Sequence, residues 1–307
     1  MAAEPEFILH HYDTSPFSEK ARLMFGLKAL AWRSVLTPNM LPKPDLVPLT
    51  GGYRRAPVMQ IGADVFCDSQ VILAEIERRS PGPAHLRGVD RMVNLWADRP
   101  FFQASVAVIF GELGDNVPAD FVKDREKLSG GSFNVAAMKA ATIPMRGQWR
   151  AHAAWIETAL ATRGDFLAGE TPGLIDIAAH MNVWFLSRFT PHIAGPLLTG
   201  LGRVTAWRDR LDAVGHGPRE EMTGAEALAI AHAAEPGDFT AHDNADPSGL
   251  APGAAVVVMA DDYGRDPING ALVAANSDRV VIERVTDDLG RLHLHFPRVG
   301  YILAAVT

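Results

Sequence analysis

Residues 13–22 read Asp-Thr-Ser-Pro-Phe-Ser-Glu-Lys-Ala-Arg and follow an apolar run over residues 7–11. The run predicts a strand. Ser15 followed by Pro16 predicts the start of a helix, because serine is a preferred N-cap and proline suits the first helical position. Unpaired N–H groups and the positive end of the helix dipole meet at such a start. Ser15 is therefore placed both to cap a helix and to stabilise an anion.

The segments around this helix alternate between strands and helices. The helix is predicted over 16–30, and the apolar and β-branched runs that follow predict strands over 32–36, 58–61 and 65–67 and a helix over 69–79. The breaker cluster Ser80-Pro-Gly-Pro83 predicts a linker. Residues 1–82 are therefore expected to form one α/β domain.

The rest of the chain changes character twice. Over residues 83–234 apolar side chains recur every three or four positions, which predicts an all-helical domain with a kink or helix end at Pro100. An Asp-, Pro- and Gly-rich connector begins the last segment, 235–307. Five β-like runs follow, which predict a small antiparallel β-barrel-like appendage docked on the rest of the chain: 254–260, 268–275, 280–285, 291–296 and 301–306.

Composition excludes several classes of protein. The 307 residues suffice for two or three domains, and 48% hydrophobic with 21% charged residues is typical of a soluble globular protein. A net charge of −7 argues against a nucleic-acid partner. The single cysteine, Cys67, fits a reducing compartment. Because no apolar run approaches the ~20 residues that span a bilayer and the start lacks signal-peptide features, we expect a cytoplasmic protein without a membrane partner.

Three short motifs occur in a fixed order on the predicted elements: Ser15-Pro16-Phe17, Arg55-Ala56-Pro57-Val58 and Asp68-Ser69. This order resembles the thioredoxin-like domain of the cytosolic glutathione S-transferases of the bacterial serine type. Residues 166–176 are similar to the family's capping segment of a central helix, although Gly173 stands where the family usually has serine or threonine. The resemblance covers about three quarters of the chain and leaves residues 235–307 outside. It implies a thioredoxin-like domain, an all-helical domain and, usually, a homodimer.

The resemblance also implies a glutathione site. The Ser15 hydroxyl would donate a hydrogen bond to the glutathione sulfur and favour the thiolate, which is the reactive form of a thiol. The residues that would bind the rest of the tripeptide are Phe17, Arg55 at the glycyl carboxylate, Ala56 through its backbone beside a cis Pro57, Asp68 at the ammonium, and Ser69 at the γ-glutamyl carboxylate.

Structural interpretations of the same residues remain open. Ser15 and Ser69 are also good helix caps, and Asp68 and Arg55 are equally compatible with solvated side chains. A second-substrate pocket is predicted at His11, Tyr12 and Trp96, against the alternative of loop or core packing.

Redox and metal chemistry have little support in the sequence. Ser15 and Ser18 stand where a dithiol oxidoreductase has cysteines, and Cys67 in its apolar strand is interpreted as a packing residue. His293 and His295 share one strand face without a third ligand, so no metal is expected.

The function predicted from these residues is conjugation of glutathione, as co-substrate, to a hydrophobic electrophile, a detoxification chemistry. The alternative is a noncatalytic glutathione-binding or protein-interaction scaffold that uses the C-terminal β segment.

Overall fold

The computed structural model describes residues 6–80 and 88–306. The expected linker starts at Ser80, and its remaining residues, 81–83, lie outside the described residues, as does the domain boundary expected between 82 and 83. The strands are β1 Ile8–His11, β2 Trp32–Leu36, β3 Val58–Ile61, β4 Asp64–Cys67, β5 Arg219–Glu221, β6 Ala255–Ala260, β7 Ile268–Ala275, β8 Arg279–Thr286, β9 Gly290–Pro297 and β10 Tyr301–Ala305. The α-helices are α1 Pro16–Leu27, α2 Leu46–Thr50, α3 Ser69–Arg79, α4 Gly88–Trp96, α5 Phe102–Leu113, α6 Ala119–Leu128, α7 Val135–Arg163, α8 Leu174–Phe189, α9 Pro191–Leu198, α10 Gly202–Asp212 and α11 Gly224–Ala233.

The first domain has the predicted thioredoxin-like order. Strand β1 pairs in parallel with β2 and antiparallel with β3, which forms a hairpin with β4. Helices α1 and α3 contribute buried side chains to the first hydrophobic core, such as Met24 and Ile72. The strand that carries His11 therefore ends beside the start of α1, where Ser15 lies.

The second region is helical, as predicted, and Pro100 distorts it. Between α4 and α5 the chain forms a π-helical turn, Ala97–Phe101, which contains Pro100. Proline lacks the N–H of a regular helical hydrogen bond, and a wider turn accommodates that loss. The turn places Asp98 and Arg99 toward the first domain, where both line a cleft.

The central helix α8 begins at the expected capping segment. The Asp176 carboxylate accepts hydrogen bonds from the backbone N–H groups of Leu167 (2.6 Å), Ala168 (3.1 Å) and Gly173 (3.0 Å), and from Trp207 Nε1 (2.7 Å). The carboxylate thus anchors the segment that precedes α8 to the first turn of the helix.

The C-terminal strands are antiparallel, as predicted, but they do not form a separate barrel. Strand β9 pairs in parallel with β4, with Val65 opposite Leu294, so the strands β6–β10 continue the first domain's sheet. The described strands form one ten-stranded sheet in the order β10-β6-β7-β8-β9-β4-β3-β1-β2-β5. The physical reason is that β4 offers an unpaired edge, whose N–H and C=O groups β9 satisfies.

Two large cores lie against this sheet. The first joins α1 and α3 to the helical domain. The second joins β3, β4 and α2 to the C-terminal strands, and buries Val65, Cys67, Val258 and Leu294 completely. We call residues 235–306 the extension; the second core shows that it is docked on the first domain, as expected.

Candidate functional site

Ser15 lies at the N-terminus of α1, as the sequence predicts. Its Oγ accepts a hydrogen bond from the Ser18 N–H at 3.1 Å, so it caps the helix. The side chain is almost fully buried, at 1% exposure. A hydroxyl that accepts a capping bond still has its own hydrogen to donate. The capping role is therefore observed and leaves the proposed donor role open.

The Arg55-Ala56-Pro57 segment forms one wall of a cleft, and the Ala56–Pro57 peptide bond is cis, as the resemblance implies. Arg55 is not solvated. Its Nη2 lies 2.5 Å from Asp262 Oδ1, and its guanidinium lies 4.0 Å from the centre of the Tyr263 ring. Both partners belong to the extension.

Asp68 lies across this cleft in an unusual backbone conformation. Its φ is +95°, which is uncommon for a residue other than glycine and is often found at functional sites. One carboxylate oxygen accepts a hydrogen bond from the Gln70 N–H at 2.9 Å, and the other accepts one from the Tyr301 hydroxyl at 3.1 Å. The side chain therefore caps α3 and also points toward the extension.

Ser69 begins α3 beside a buried charge pair. Lys20 Nζ donates to Ser69 Oγ at 3.1 Å and to Asp98 Oδ1 at 2.7 Å. Burial raises the pKa of Asp98 to about 6, although Lys20 opposes this shift. Lys20, from α1, thus brings an ammonium group next to the start of α3, where the helix dipole also favours an anion.

Three parts of the chain meet at the cleft. The first domain supplies Phe17, Arg55, Ala56, Pro57, Asp68 and Ser69, that is, every residue that the sequence predicted for glutathione binding. The helical domain supplies Leu95, Asp98 and Arg99, and the extension supplies Asp262, Tyr263, Gly300 and Tyr301. The Phe17 ring, which lines the cleft, packs edge-on against Phe102 at 4.7 Å.

The residues predicted for a second substrate are less well placed. His11 is fully buried, with Nε2 3.0 Å from Ser34 Oγ and Nδ1 3.1 Å from Arg22. Trp96 donates to His152 within the helical domain. Tyr12 is half-buried, with Lys43 Nζ 5.7 Å from its ring centre. A contact of His11 with a substrate would require its hydrogen bonds to open.

Sequence reasoning missed several polar residues that line the cleft, among them Asp98, Asp262, Tyr263 and Tyr301. It also missed Lys20, which hydrogen-bonds to Ser69 and Asp98. The carboxylates of Asp261 and Asp262 form ion pairs with Arg99 and Arg55, which belong to other parts of the chain. No local pattern marks these residues, because each reaches the cleft only through tertiary packing.

Outside the cleft, His295 and Cys67 take part in hydrogen bonding and core packing. Within residues 6–80 and 88–306, no group of three or more His, Cys, Asp or Glu residues is arranged to hold a metal ion. His295 Nε2 instead lies 2.8 Å from Asp64. Burial raises the pKa of the Cys67 thiol well above its usual value, which suits a packing residue.

Comparisons with known proteins match both the first domain and the helical domain. The model of the glutathione S-transferase N-terminal domain matches residues 9–84, and that of the glutathione S-transferase C-terminal domain matches residues 85–210. The crystal structure of a GST-like protein from Pseudomonas syringae is 31% identical, with a TM-score of 0.80, and the match covers 98% of this chain and 100% of that one. The chain belongs to the glutathione S-transferase family. The Pseudomonas match shows that this family member shares its extension with another protein.

More distant structures share the fold alone. A rice glutathione S-transferase solved in complex with glutathione is 19% identical, with a TM-score of 0.52, over 74% of this chain and 94% of that one. A Tau class glutathione S-transferase from mango is 17% identical, also with a TM-score of 0.52, and the match covers 69% of this chain and 90% of that one. No curated protein matches the sequence significantly. In this family member, no helix among the described residues is long and apolar enough to cross a membrane.

Proposed function

We propose that the protein is a cytoplasmic glutathione transferase that conjugates the glutathione thiolate to a hydrophobic electrophile. The observation that carries this proposal is the convergence of Arg55, the cis Ala56–Pro57 segment and Asp68-Ser69 on one cleft. These groups have the chemistry needed for the two charged ends and the peptide backbone of the tripeptide.

Each residue has a separate task in this proposal. Arg55 pairs with the glycyl carboxylate, and the backbone of Ala56 pairs with the peptide. Asp68 binds the ammonium, while Ser69 and the start of α3 bind the γ-glutamyl carboxylate with help from Lys20. Ser15 donates its free hydroxyl hydrogen to the sulfur, which lowers the pKa of the thiol and raises the fraction of reactive thiolate.

The electrophile is proposed to bind at the Phe17 side of the cleft. Phe17 offers an aromatic ring there, and Phe102 packs against that ring. Tyr12, His11 and Trp96 stay our predicted second-substrate residues. Tyr12 needs less rearrangement than His11 because it is not fully buried, and less than Trp96 because the Trp96 indole is hydrogen-bonded to His152. A hydrophobic surface of this kind binds apolar molecules broadly and fits a detoxifying enzyme.

Calorimetric titration with reduced glutathione tests the site. Ser69→Ala and Asp68→Asn each remove a charge-assisted contact of roughly 1.5–3 kcal/mol, so affinity should fall about ten- to hundredfold. Ser132→Ala, an exposed serine that hydrogen-bonds within its own loop, is the control and should bind as the wild type does. Unchanged affinity in both cleft variants would refute the site.

Turnover with a panel of electrophiles tests the catalytic claim. Ser15→Ala should reduce kcat more than glutathione affinity, because its hydroxyl acts on the sulfur alone. The absorbance of bound thiolate against pH separates this role from capping, since a pure cap changes stability without changing the thiol pKa. Binding without turnover of any electrophile would favour a noncatalytic scaffold.

A further inference from the structure

The extension contacts the two side chains that the proposed function assigns to the charged ends of glutathione. Asp262 lies 2.5 Å from Arg55, and the Tyr301 hydroxyl lies 3.1 Å from Asp68. The extension thus offers the Asp262 carboxylate to Arg55. It offers the Tyr301 hydroxyl, a hydrogen-bond donor, to Asp68. Glutathione offers the same two kinds of group at its glycyl and ammonium ends.

Residues 261–266, which we call the capping loop, are held over the cleft from both sides. Asp261 pairs with Arg99 of the helical domain at 2.5 Å. The Gly264 N–H donates to the Leu128 backbone oxygen at 2.6 Å. A Cβ at Gly264 would lie 2.8 Å from the Leu128 side chain and 3.0 Å from Arg55 Nε. The backbone of Gly264 is left-handed, with a φ of +59°. Only glycine therefore lets the loop approach this closely.

We propose that the capping loop is an intramolecular competitor of glutathione, in which Asp262 occupies the position on Arg55 that the glycyl carboxylate takes. This inference rests on the proposed function of the cleft. The Arg55 and Asp262 side chains are only 12% and 29% exposed, so their ion pair is partly shielded from water. To bind Arg55, glutathione must replace the Asp262 carboxylate with its own glycyl carboxylate. The affinity for glutathione therefore reflects only the difference in free energy between these two contacts with Arg55.

Calorimetry with reduced glutathione on the full chain tests the competition. Asp262→Asn keeps the shape of the side chain and removes its charge, so glutathione should bind about tenfold more tightly. Asp278→Asn is the matched control: it removes another extension carboxylate, which pairs with the exposed Arg91 at 2.7 Å, and should leave affinity unchanged. Equal affinity in Asp262→Asn would overturn the proposal. Weaker binding would also overturn it, because Asp262 would then position Arg55 for the ligand.

Hydrogen exchange in the wild-type protein gives an independent readout. If glutathione displaces the capping loop, the Gly264 amide loses its bond to Leu128 and residues 261–266 exchange faster when glutathione is bound. Slower exchange would mean that the loop folds onto the ligand, and it would refute competition.

The outcomes separate this inference from the proposed function. No binding by the wild type or by Asp262→Asn refutes the glutathione site, and the competitor with it. Wild-type binding without a gain in Asp262→Asn refutes only the competitor. Binding by Asp262→Asn alone supports both.

Discussion

At the scale of single residues, the first strand carries two histidines that the fold keeps neutral. Burial lowers the pKa of His10 to about 4, against a hydrogen bond to Gln60. Burial lowers the pKa of His11 to about 3, and the positive charge of Arg22 beside it lowers it further. Both side chains are fully buried. Protonation of either histidine therefore opposes folding.

This arrangement predicts a loss of stability in mild acid. Below the unfolded pKa of 6.5 the unfolded chain binds protons at His10 and His11 and the folded chain does not, so stability falls from pH 6.5 toward 4. One unit below that pKa each histidine contributes a loss of about 1.4 kcal/mol. Asp98 has a folded pKa of about 6, so its protonation in mild acid favours the folded state. This one group offsets only part of the loss that the two histidines cause.

Urea unfolding at pH 7.5 and 5.5 measures this loss. His11→Gln should show a smaller loss between the two pH values than the wild type. His192→Gln removes an exposed histidine and should show the full loss. Equal losses in the wild type and His11→Gln would contradict the prediction.

The predictable part of the site is the part that local chemistry encodes. Ser15 before a proline and Ser69 after Asp68 mark helix starts in the sequence. The residues predicted from these motifs to bind the tripeptide, from Phe17 to Ser69, line one cleft. Asp262 and Tyr301 were not predictable, because they are more than 200 positions away from Arg55 and Asp68 in sequence and only the extension's docking brings them close.

At the scale of elements, α1 packs unusually close to the segment that follows α10. A Cβ at Gly26 would lie 2.0 Å from the Gly215 backbone oxygen. The same segment receives a hydrogen bond from Trp32 Nε1 to the His216 oxygen at 2.8 Å, and His216 lies 2.9 Å from Glu19. The contact therefore ties the helical domain to α1 and β2 of the first domain.

Gly26→Ala should loosen this junction. The new methyl group meets backbone, which cannot rotate away, so we expect a loss of roughly 1–3 kcal/mol in stability. Gly147→Ala in α7 is the control, because nothing lies within 4 Å of its added Cβ, and it should stabilise by up to about 1 kcal/mol. Thermal unfolding of both variants measures the difference. A neutral Gly26→Ala would show that the two segments separate easily.

Element prediction succeeded where the pattern was strong. Strand β7, at Ile268–Ala275, and helix α3, at Ser69–Arg79, have the predicted bounds. Strand β5, at Arg219–Glu221, fell within the predicted helical region. Its three residues are all charged and carry no strand pattern, and they pair only by tertiary contact with β2. The prediction of a separate barrel failed for the same kind of reason. The alternation of apolar and polar residues predicts strands, but it does not predict which sheet edge those strands join.

At the scale of the whole molecule, the extension is part of the core and not an appendage. Leu294 pairs opposite Val65, and both are fully buried in the second core. Removing the extension would expose this apolar surface together with the edge of β4, a combination that promotes aggregation.

Truncation after Ala234 should therefore lower the melting temperature or make the protein aggregate. Leu294→Ala tests the packing of the extension in the second core with one substitution, and it should lower the free energy of unfolding by roughly 2–5 kcal/mol. Val299→Ala is the control, because Val299 is 55% exposed. A truncated protein with an unchanged melting temperature would show that the first two domains are stable without the extension.

The last prediction concerns assembly, since we also propose that the protein is a homodimer. An exposed apolar patch lies on α4 and α7: Met92 is 67% exposed, Trp155 is 60% exposed, and the Trp155 ring lies 6.3 Å from that of Trp96. Large aromatic side chains in such patches are typical of protein interfaces.

Light scattering should therefore give twice the mass of one chain at micromolar concentration. The Trp155→Glu substitution should shift the measured mass toward that of a single chain. Ile143→Glu changes another exposed apolar residue of α7, one that is 80% exposed and makes none of the patch's ring contacts, and it should leave the dimer intact. A monomeric wild type would refute the homodimer. A dimer that survives Trp155→Glu would place its interface on another face, because a buried and unpaired carboxylate at the centre of an interface is strongly unfavourable.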